Sequence, residues 1–458
     1  MMNLHFFPLS LVLIAQFAIS ACDPGSSSSI DESSAVGGTG NTGGQGPTVP
    51  ANCEPVDPSL ENADADELFS YPHVPTFDFY LPEADWQALQ KNARQEQYTD
   101  AQLCFEGKLV GTVGLRFKGY YGSLYNCFDA QDQMICARLS MKAKFSEYDS
   151  DLRFFGLKRL NFNAYRFDDS RMKERLTYDL YRAMGIAAPR ASWAVLRVNG
   201  VSQGLYGMVE QVDGRFTADR WPDSPDGNLY KEVWPTLATP SQALADLTTN
   251  EDQADVSAFV AFADSLQNAT DDAQVLQILD DNMGLDSWAR YMAVDDAVVN
   301  YDGITYFWTD GVNSNNHNFY FYERAPDKFV LIPWDEESTF WIDAAHAAPH
   351  WTQIQEDCSL TYPYWDGLAR APACDPIFHA LAGVLDGWRA AAQELLDGPF
   401  SVENMTQNID RFETYIGAEA HVDPTPYMYG TFDSAVQNLR NSVPAQRDRL
   451  ERLMAGEY

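Results

Sequence analysis

Apolar and polar residues alternate from Val74 to Leu81, which predicts a strand. Pro82 then opens a predicted helix through Trp86 and Leu89, since proline is tolerated in a helix's first turn. Two strand-like runs fill Leu103 to Lys118, the second being GTVGLRFK from Gly111. Leu139 to Phe145 alternates strictly: Leu139, Met141, Ala143 and Phe145 face one way, and Ser140, Lys142 and Lys144 the other. Leu160-Asn161-Phe162 reads as a further short strand. At Asp168 the period changes. Leu176, Leu180 and Met184 recur at helical spacing, Asp168, Asp169 or Ser170 can cap the start, and Gly185 can end the helix.

Ser192 to Val198, an Asn199-Gly200 turn and Gly204 to Glu210 form a predicted hairpin. Residues 241–300 read mostly helical and end in SWARYMAVDDAVVNYDG. Phe319 to Tyr322 and Lys328 to Pro333 make a second hairpin, and the chain beyond residue 375 reads helical. No internal repeat is visible. The pattern is α+β: a strand-rich first half with one inserted helix, then a mainly helical half containing a hairpin.

The N-terminus departs from this pattern. Phe6 to Ile19 is apolar and of signal-peptide length, short for a membrane span, and it ends in Ile19-Ser20-Ala21-Cys22. Small residues before a cysteine suit a lipoprotein signal peptidase, so residues 1–21 are expected to be a signal peptide and Cys22 the lipidated residue. The segment before the apolar run has no Lys or Arg, and ordinary secretion with cleavage near Ala21 is the alternative. Residues 22–64, rich in Gly, Ser, Pro and Thr, are expected to be a flexible tether, leaving 65–458 as the folded domain. The protein is thus placed outside the cytoplasm, meeting a bacterial membrane through its lipid only.

Seven cysteines fit that compartment: once Cys22 is lipidated, an even number remains. Short intervening loops favour Cys127–Cys136 and Cys358–Cys374, leaving Cys53–Cys104, out of fifteen connectivities. Of 458 residues, 31 are Lys or Arg and 66 Asp or Glu, a formal charge of −35. Such a surface repels phosphate backbones, so nucleic acid is not an expected partner, and any nucleotide site must supply its own cations.

Candidate chemistry gathers in the second half. Asn300-Tyr301-Asp302-Gly303 follows a long helix, His317-Asn318 begins a strand, and Trp334-Asp335-Glu336-Glu337 ends the next one. Phosphoryl transfer needs such a set: a carboxylate to take the acceptor's proton and oxygen ligands for a divalent cation. Lys142 and Lys144 on one strand, with Arg116 and Lys118 on another, could neutralise phosphates, and Glu174 in the inserted helix could anchor a lysine. The strand Gly204 to Asp213 runs into a connector whose backbone could read an adenine edge.

The segments GLRFKG (114–119), GLKRLNFN (156–163), RMKERLTYDLYRAMGIAAPRAS (171–192), VNGVSQGLYGMVEQVD (198–213), GNLYK (227–231), NYDG (300–303), HNFYFY (317–322) and FVLIPWDEESTFW (329–341) together resemble the spore coat protein H (CotH) family of atypical protein kinases. The resemblance implies a two-lobed, kinase-like fold, with an N-lobe over about 65–212 and a C-lobe over about 213–458. It also implies ATP- and Mg²⁺- or Mn²⁺-dependent phosphorylation of a protein Ser, Thr or Tyr hydroxyl. Asp302 resembles the catalytic aspartate, and Asn318 and Asp335 resemble the metal ligands. Lys142 or Lys144 would contact phosphate with Glu174 as partner. Met208, Glu210 and Val212 would line the adenine hinge, with Arg116 beside the phosphates. The chain departs from the family's short Asp-to-Asn spacing by an inserted stretch, Ile304 to Asn316, expected to displace Asn318 or cover the site.

Two other readings stand beside this. Trp341, Trp351, Tyr362, Tyr364 and Trp365 could form a platform for a protein or glycan on a non-catalytic envelope protein. His346 and His350 could serve a metal hydrolase, though Pro349 interrupts the helix that would align them.

Overall fold

The alternating segments of the first half close into a barrel. A computed structural model describes residues 49–50, 53–120, 123–325, 328–341, 348–365 and 367–458; the expected signal peptide, Cys22 and most of the expected tether lie outside the described residues. The helices α1 (Ala65–Phe69), α2 (Glu83–Lys91) and α3 (Lys173–Ala183) accompany seven strands: β1 (Thr76–Tyr80), β2 (Thr99–Phe105), β3 (Lys108–Phe117), β4 (Met141–Lys144), β5 (Arg159–Asn163), β6 (Ala191–Val198) and β7 (Val201–Glu210). The barrel order is β1-β2-β3-β4-β5-β7-β6. Every pairing is antiparallel except the closing one, where β1 runs parallel to β6 with Thr76 opposite Val195.

Inward positions fill the barrel. Phe77, Phe79, Leu103, Leu115, Met141, Phe162, Leu196 and Met208 are buried there, and Phe77 meets Phe105, Phe154 and Phe162 edge to face. Burying each such side chain stabilises by about 1.5–3 kcal/mol. Asn199 and Gly200, both with positive φ, make the tight β6–β7 turn. Residues 53–64, expected as tether, belong to the fold instead. Cys53 is bonded to Cys104, Glu54 bridges to Lys108, and Leu60 O and Glu61 O accept from Phe155 N and Gly156 N. The other disulfides are Cys127–Cys136 and Cys358–Cys374, consistent with an oxidising compartment. No described helix is long and apolar enough to cross a membrane.

The inserted helix starts later than its capping residues suggest. Arg171 takes a positive φ, and Asp168 instead folds the approach by accepting from Ser170 N and Lys173 N, each at 2.9 Å.

After the barrel come α4 (Gly214–Arg220), β8 (Leu229–Lys231), α5 (Pro240–Ala245), α6 (Ser257–Gln267), α7 (Asp272–Asn282) and α8 (Leu285–Val298). Then follow β9 (Phe307–Thr309), β10 (Ser314–Asn315), β11 (Phe319–Ala325), β12 (Lys328–Pro333), β13 (Tyr362–Tyr364) and β14 (Gly367–Arg370). The chain ends in α9 (Pro376–Ala382), α10 (Asp386–Asp397), α11 (Val402–His421) and α12 (Phe432–Met454). The expected hairpin is β11–β12, with β8 added beside β11. The inserted stretch supplies β9 and β10 to a separate sheet ordered β10-β9-β14-β13.

The expected boundary near residue 212 is not a boundary between cores. Leu176, Leu180, Trp193 and Val209 share one buried cluster with Trp288, Phe319, Ile332 and Leu450. A buried ionic tie reinforces the join. Asp423, beyond α11, lies 3.0 Å from Arg138 Nη1 and 4.0 Å from Arg171 Nη2, and accepts from Leu205 N. Asp169 accepts from the backbone amides of Met428 and Tyr429.

Candidate active site

The end of α8 sets Asp302. Val299 leaves the helix in the left-handed region, which costs a β-branched residue of order 1–3 kcal/mol and turns the chain sharply. Asn300 then works in both directions: its Oδ1 accepts from Asp302 N at 3.2 Å, and its Nδ2 donates to Asp295 Oδ1 and Glu336 Oε2, each at 3.0 Å. Gly303 makes room, since a Cβ there would come within 2.5 Å of Asn300 Nδ2. The Asn-Tyr-Asp-Gly motif is therefore a scaffold for one carboxylate.

Asn318 begins β11 and faces that carboxylate. Its Nδ2 donates to the Asp302 carbonyl at 2.9 Å and to Asp302 Oδ2 at 3.0 Å, while its own carbonyl accepts from Trp334 N at 3.0 Å. The insertion therefore does not part Asn318 from Asp302, because its residues are absorbed in β9 and β10. Among the described residues Asp302 Oδ1 and Asn318 Oδ1 take no hydrogen bond. Asp335 follows β12, its amide donating to Tyr178 OH at 3.0 Å, and among the described residues its carboxylate accepts no hydrogen bond. Glu232, Val299, Asn318 and Asp335 all hold positive φ, a concentration of backbone strain in one place.

The lysine next to Glu174 is Lys118. Its Nζ donates to Asn163 Oδ1 at 2.9 Å, and Asn163 Nδ2 donates to both Glu174 oxygens at 3.0 Å. The expected Lys142 and Lys144 sit on the same outward barrel face but on other rungs: Lys142 pairs with Arg116 and Asn161, and Lys144 makes an ion pair with Glu147 at 2.9 Å. Register decides this, because Lys118 follows β3 at the rung of Ser140, where Asn163 lies.

The charges are strongly coupled. Burial raises Asp302 to about 6, with Asp335 and Glu232 adding and His317 and Asn318 opposing. Burial and then Asp335 raise Glu174 to about 7. Asp335 is exposed yet ringed closely enough by protein that its carboxyl is also pushed up, against Lys118 and Lys231. Burial lowers Lys118, while Asp335 and Glu174 support its charge. Burial works against the charge on Glu232, but Lys231 and His317 outweigh it and hold that carboxyl at about 2.

Other expected site residues are engaged elsewhere. Met208 is inside the barrel, and Val212 is in the second core. The Glu210 carboxylate is held by Arg190 and Arg220, each at 2.6 Å. Arg116 reaches Glu96 at 2.6 Å. The backbone of Met208 to Glu210 is paired with β5 on one side and with β6 and Arg190 on the other, so within 208–212 only Gln211 and Val212 lie beyond the sheet. Of the aromatic platform, Trp351 and Tyr364 are buried. His350 bonds Asp296 and Thr352 through its two ring nitrogens, and His346 lies outside the described residues.

Sequence reasoning gave no role to Asn163, Glu232, Lys231 or Asp295, and it named Asn300 and Glu336 only as members of their motifs. Polar residues between large apolar ones, as in LNFN, were the available signal for Asn163. Among the described residues no three His, Cys, Asp or Glu side chains converge as a ready-made metal cage. The free oxygens of Asp335 and Asn318 nevertheless suit a hard cation that keeps most of its water, as Mg²⁺ does.

A family model described as CotH kinase protein matches residues 115–450. Inner spore coat protein H of Bacillus subtilis (strain 168) is 24% identical over 225 residues, 45% of this chain, which spans 58% of that relative's length. Two solved structures show loose overlap. The Shewanella oneidensis MR-1 toxin antitoxin system HipA, HipB and operator DNA complex is 12% identical, over 73% of this chain and 68% of that one, with a TM-score of 0.30. The Helicobacter pylori proinflammatory kinase CtkA is 9% identical, over 74% and 94%, with a TM-score of 0.25.

Proposed function

The chain belongs to the CotH kinase protein family, and we propose that it is an exported, lipid-anchored protein kinase. In this reading it transfers the γ-phosphoryl group of ATP to a Ser, Thr or Tyr hydroxyl of a protein substrate. The observation that carries the reading is the Asp302–Asn318 pair beside Asp335, with the Lys118–Asn163–Glu174 chain approaching from the barrel.

Asp302 Oδ1 orients the acceptor hydroxyl and receives its proton; a carboxyl raised to about 6 is ionised at neutral pH yet more basic than an ordinary aspartate. Lys118 contacts the nucleotide phosphates and is kept in place by Asn163 and Glu174. Asp335 and Asn318 hold Mg²⁺ or Mn²⁺, which when bound offsets phosphate charge. In this reading the nucleotide lies between the barrel and the helical half, with the Gln211-Val212 connector against the base. Catalysis here is positioning and charge neutralisation.

The test is labelled ATP with Mg²⁺ or Mn²⁺ and the purified protein, with Asp302→Ala and Asp335→Ala as controls. Labelling in the wild type alone supports the reading; equal labelling in all three ends it.

A further inference from the structure

Two lysines act on Asp335: Lys118 from the barrel and Lys231 from β8. Lys118 is already committed to Asn163. Lys231 is fixed by backbone pairing, its Cα in register with Tyr320 of β11, two residues beyond Asn318. The Tyr320 ring meets Trp334, the neighbour of Asp335, edge to face at 5.7 Å. The Lys231 ammonium lies 4.0 Å from Glu232 Oε1, too far for a hydrogen bond, and that oxygen is already taken by Asn318 N at 3.3 Å. Glu232 has a second cation in His317, whose Nδ1 is 3.7 Å from Oε2.

Among the described residues the Lys231 ammonium makes no hydrogen bond, and its side chain is 38% exposed. A strand-fixed cation with unused donors, open to solvent beside a carboxylate suited to a metal, is built to receive an anion. We propose that Lys231 binds the terminal phosphoryl group of the nucleoside triphosphate, reaching it from the β8 sheet while Lys118 reaches the phosphates from the barrel. This assignment rests on the kinase reading above and adds to it the residue that tells a triphosphate from a diphosphate.

The experiment measures MgATP and MgADP affinity of the full-length chain by calorimetry, for wild type, Lys231→Met and Lys231→Arg. Ligand-free melting of each variant serves as the control for folding. The expected result is a roughly tenfold or greater loss of MgATP affinity in Lys231→Met, the scale of one charge-assisted hydrogen bond, with MgADP affinity within about twofold of wild type and partial recovery in Lys231→Arg. Unchanged affinity for both nucleotides would make Lys231 only the counter-ion of Glu232 and overturn the proposal, while the kinase reading would stand. Equal losses for both would overturn the terminal-phosphate assignment. A wild type that binds neither nucleotide would remove the kinase reading along with it.

Discussion

Asn318 holds Asp302 at two points, its Nδ2 reaching the carbonyl oxygen at 2.9 Å and Oδ2 at 3.0 Å. A single amide thereby fixes both the backbone and the carboxylate of the proposed base. Asp302→Asn should lower phosphoryl transfer by about 10²–10⁴-fold, the usual worth of a positioned base, with ATP binding preserved. Asn318→Ala should also cost about 1–3 kcal/mol of stability, because a half-buried carboxylate loses its donor. Steady-state kinetics and chemical denaturation check these in turn.

Lys118, which the structure sets beside Glu174, and Lys144, which the resemblance had offered for that role, make opposite predictions. Lys118→Met should lower turnover by about 10²-fold or more, since it removes a preorganised charge and the partner of Asn163. Lys144→Met should leave turnover nearly unchanged, because its Nζ engages Glu147 and the Tyr98 ring rather than Asn163 and Glu174. Activity and melting of both variants, measured side by side, decide it.

Stability should fall as pH rises from about 5 to 8. Burial lifts Asp302 to about 6, Glu174 to about 7 and Asp295 to about 8. Each raised carboxyl binds its proton more tightly folded than unfolded, so its contribution is complete below the unfolded value near 4 and lost as pH passes the folded one. Asp295→Asn keeps an acceptor for Asn300 and Tyr181 and should flatten the upper part of this slope in thermal melts. Turnover should move the other way, rising through about pH 6 as Asp302 ionises.

Asp423→Ala should destabilise the whole fold by about 3–5 kcal/mol, the cost of leaving a buried charge without its partner. Arg138 and Arg171 are 5% and 2% exposed by side chain, so neither can turn to water. Chemical denaturation should show one transition moved to lower denaturant, because the tie joins barrel strands to the segment after α11.

Much of this was readable in the chain because it depends on local period. The β1 and β4 alternation, the Asn199-Gly200 turn and the β11–β12 hairpin follow from spacing and turn chemistry, whereas the Asp302–Asn318–Asp335 set was implied by the family resemblance. What was not readable depends on register between distant strands. Nothing in GLRFK or LSMKAKF states which rung meets Glu174, so Lys118 was hidden behind Lys142 and Lys144. The short strands β8, β9, β13 and β14 owe their form to tertiary partners rather than to their own sequence. The late start of α3 escaped notice because Asp168 caps it across Arg171, a residue whose backbone leaves the helical region.

The parallel seam between β1 and β6 imposes an order of events on the newborn chain. As the polypeptide emerges from the ribosome, β1 to β5 and α3 all appear before the strand that must lie along β1. Until β6 arrives, β1 presents an open edge of apolar residues, prone to pair with the wrong neighbour. Biogenesis would therefore depend on a holding chaperone or on slow emergence, and truncations ending before Ala191 should aggregate rather than fold.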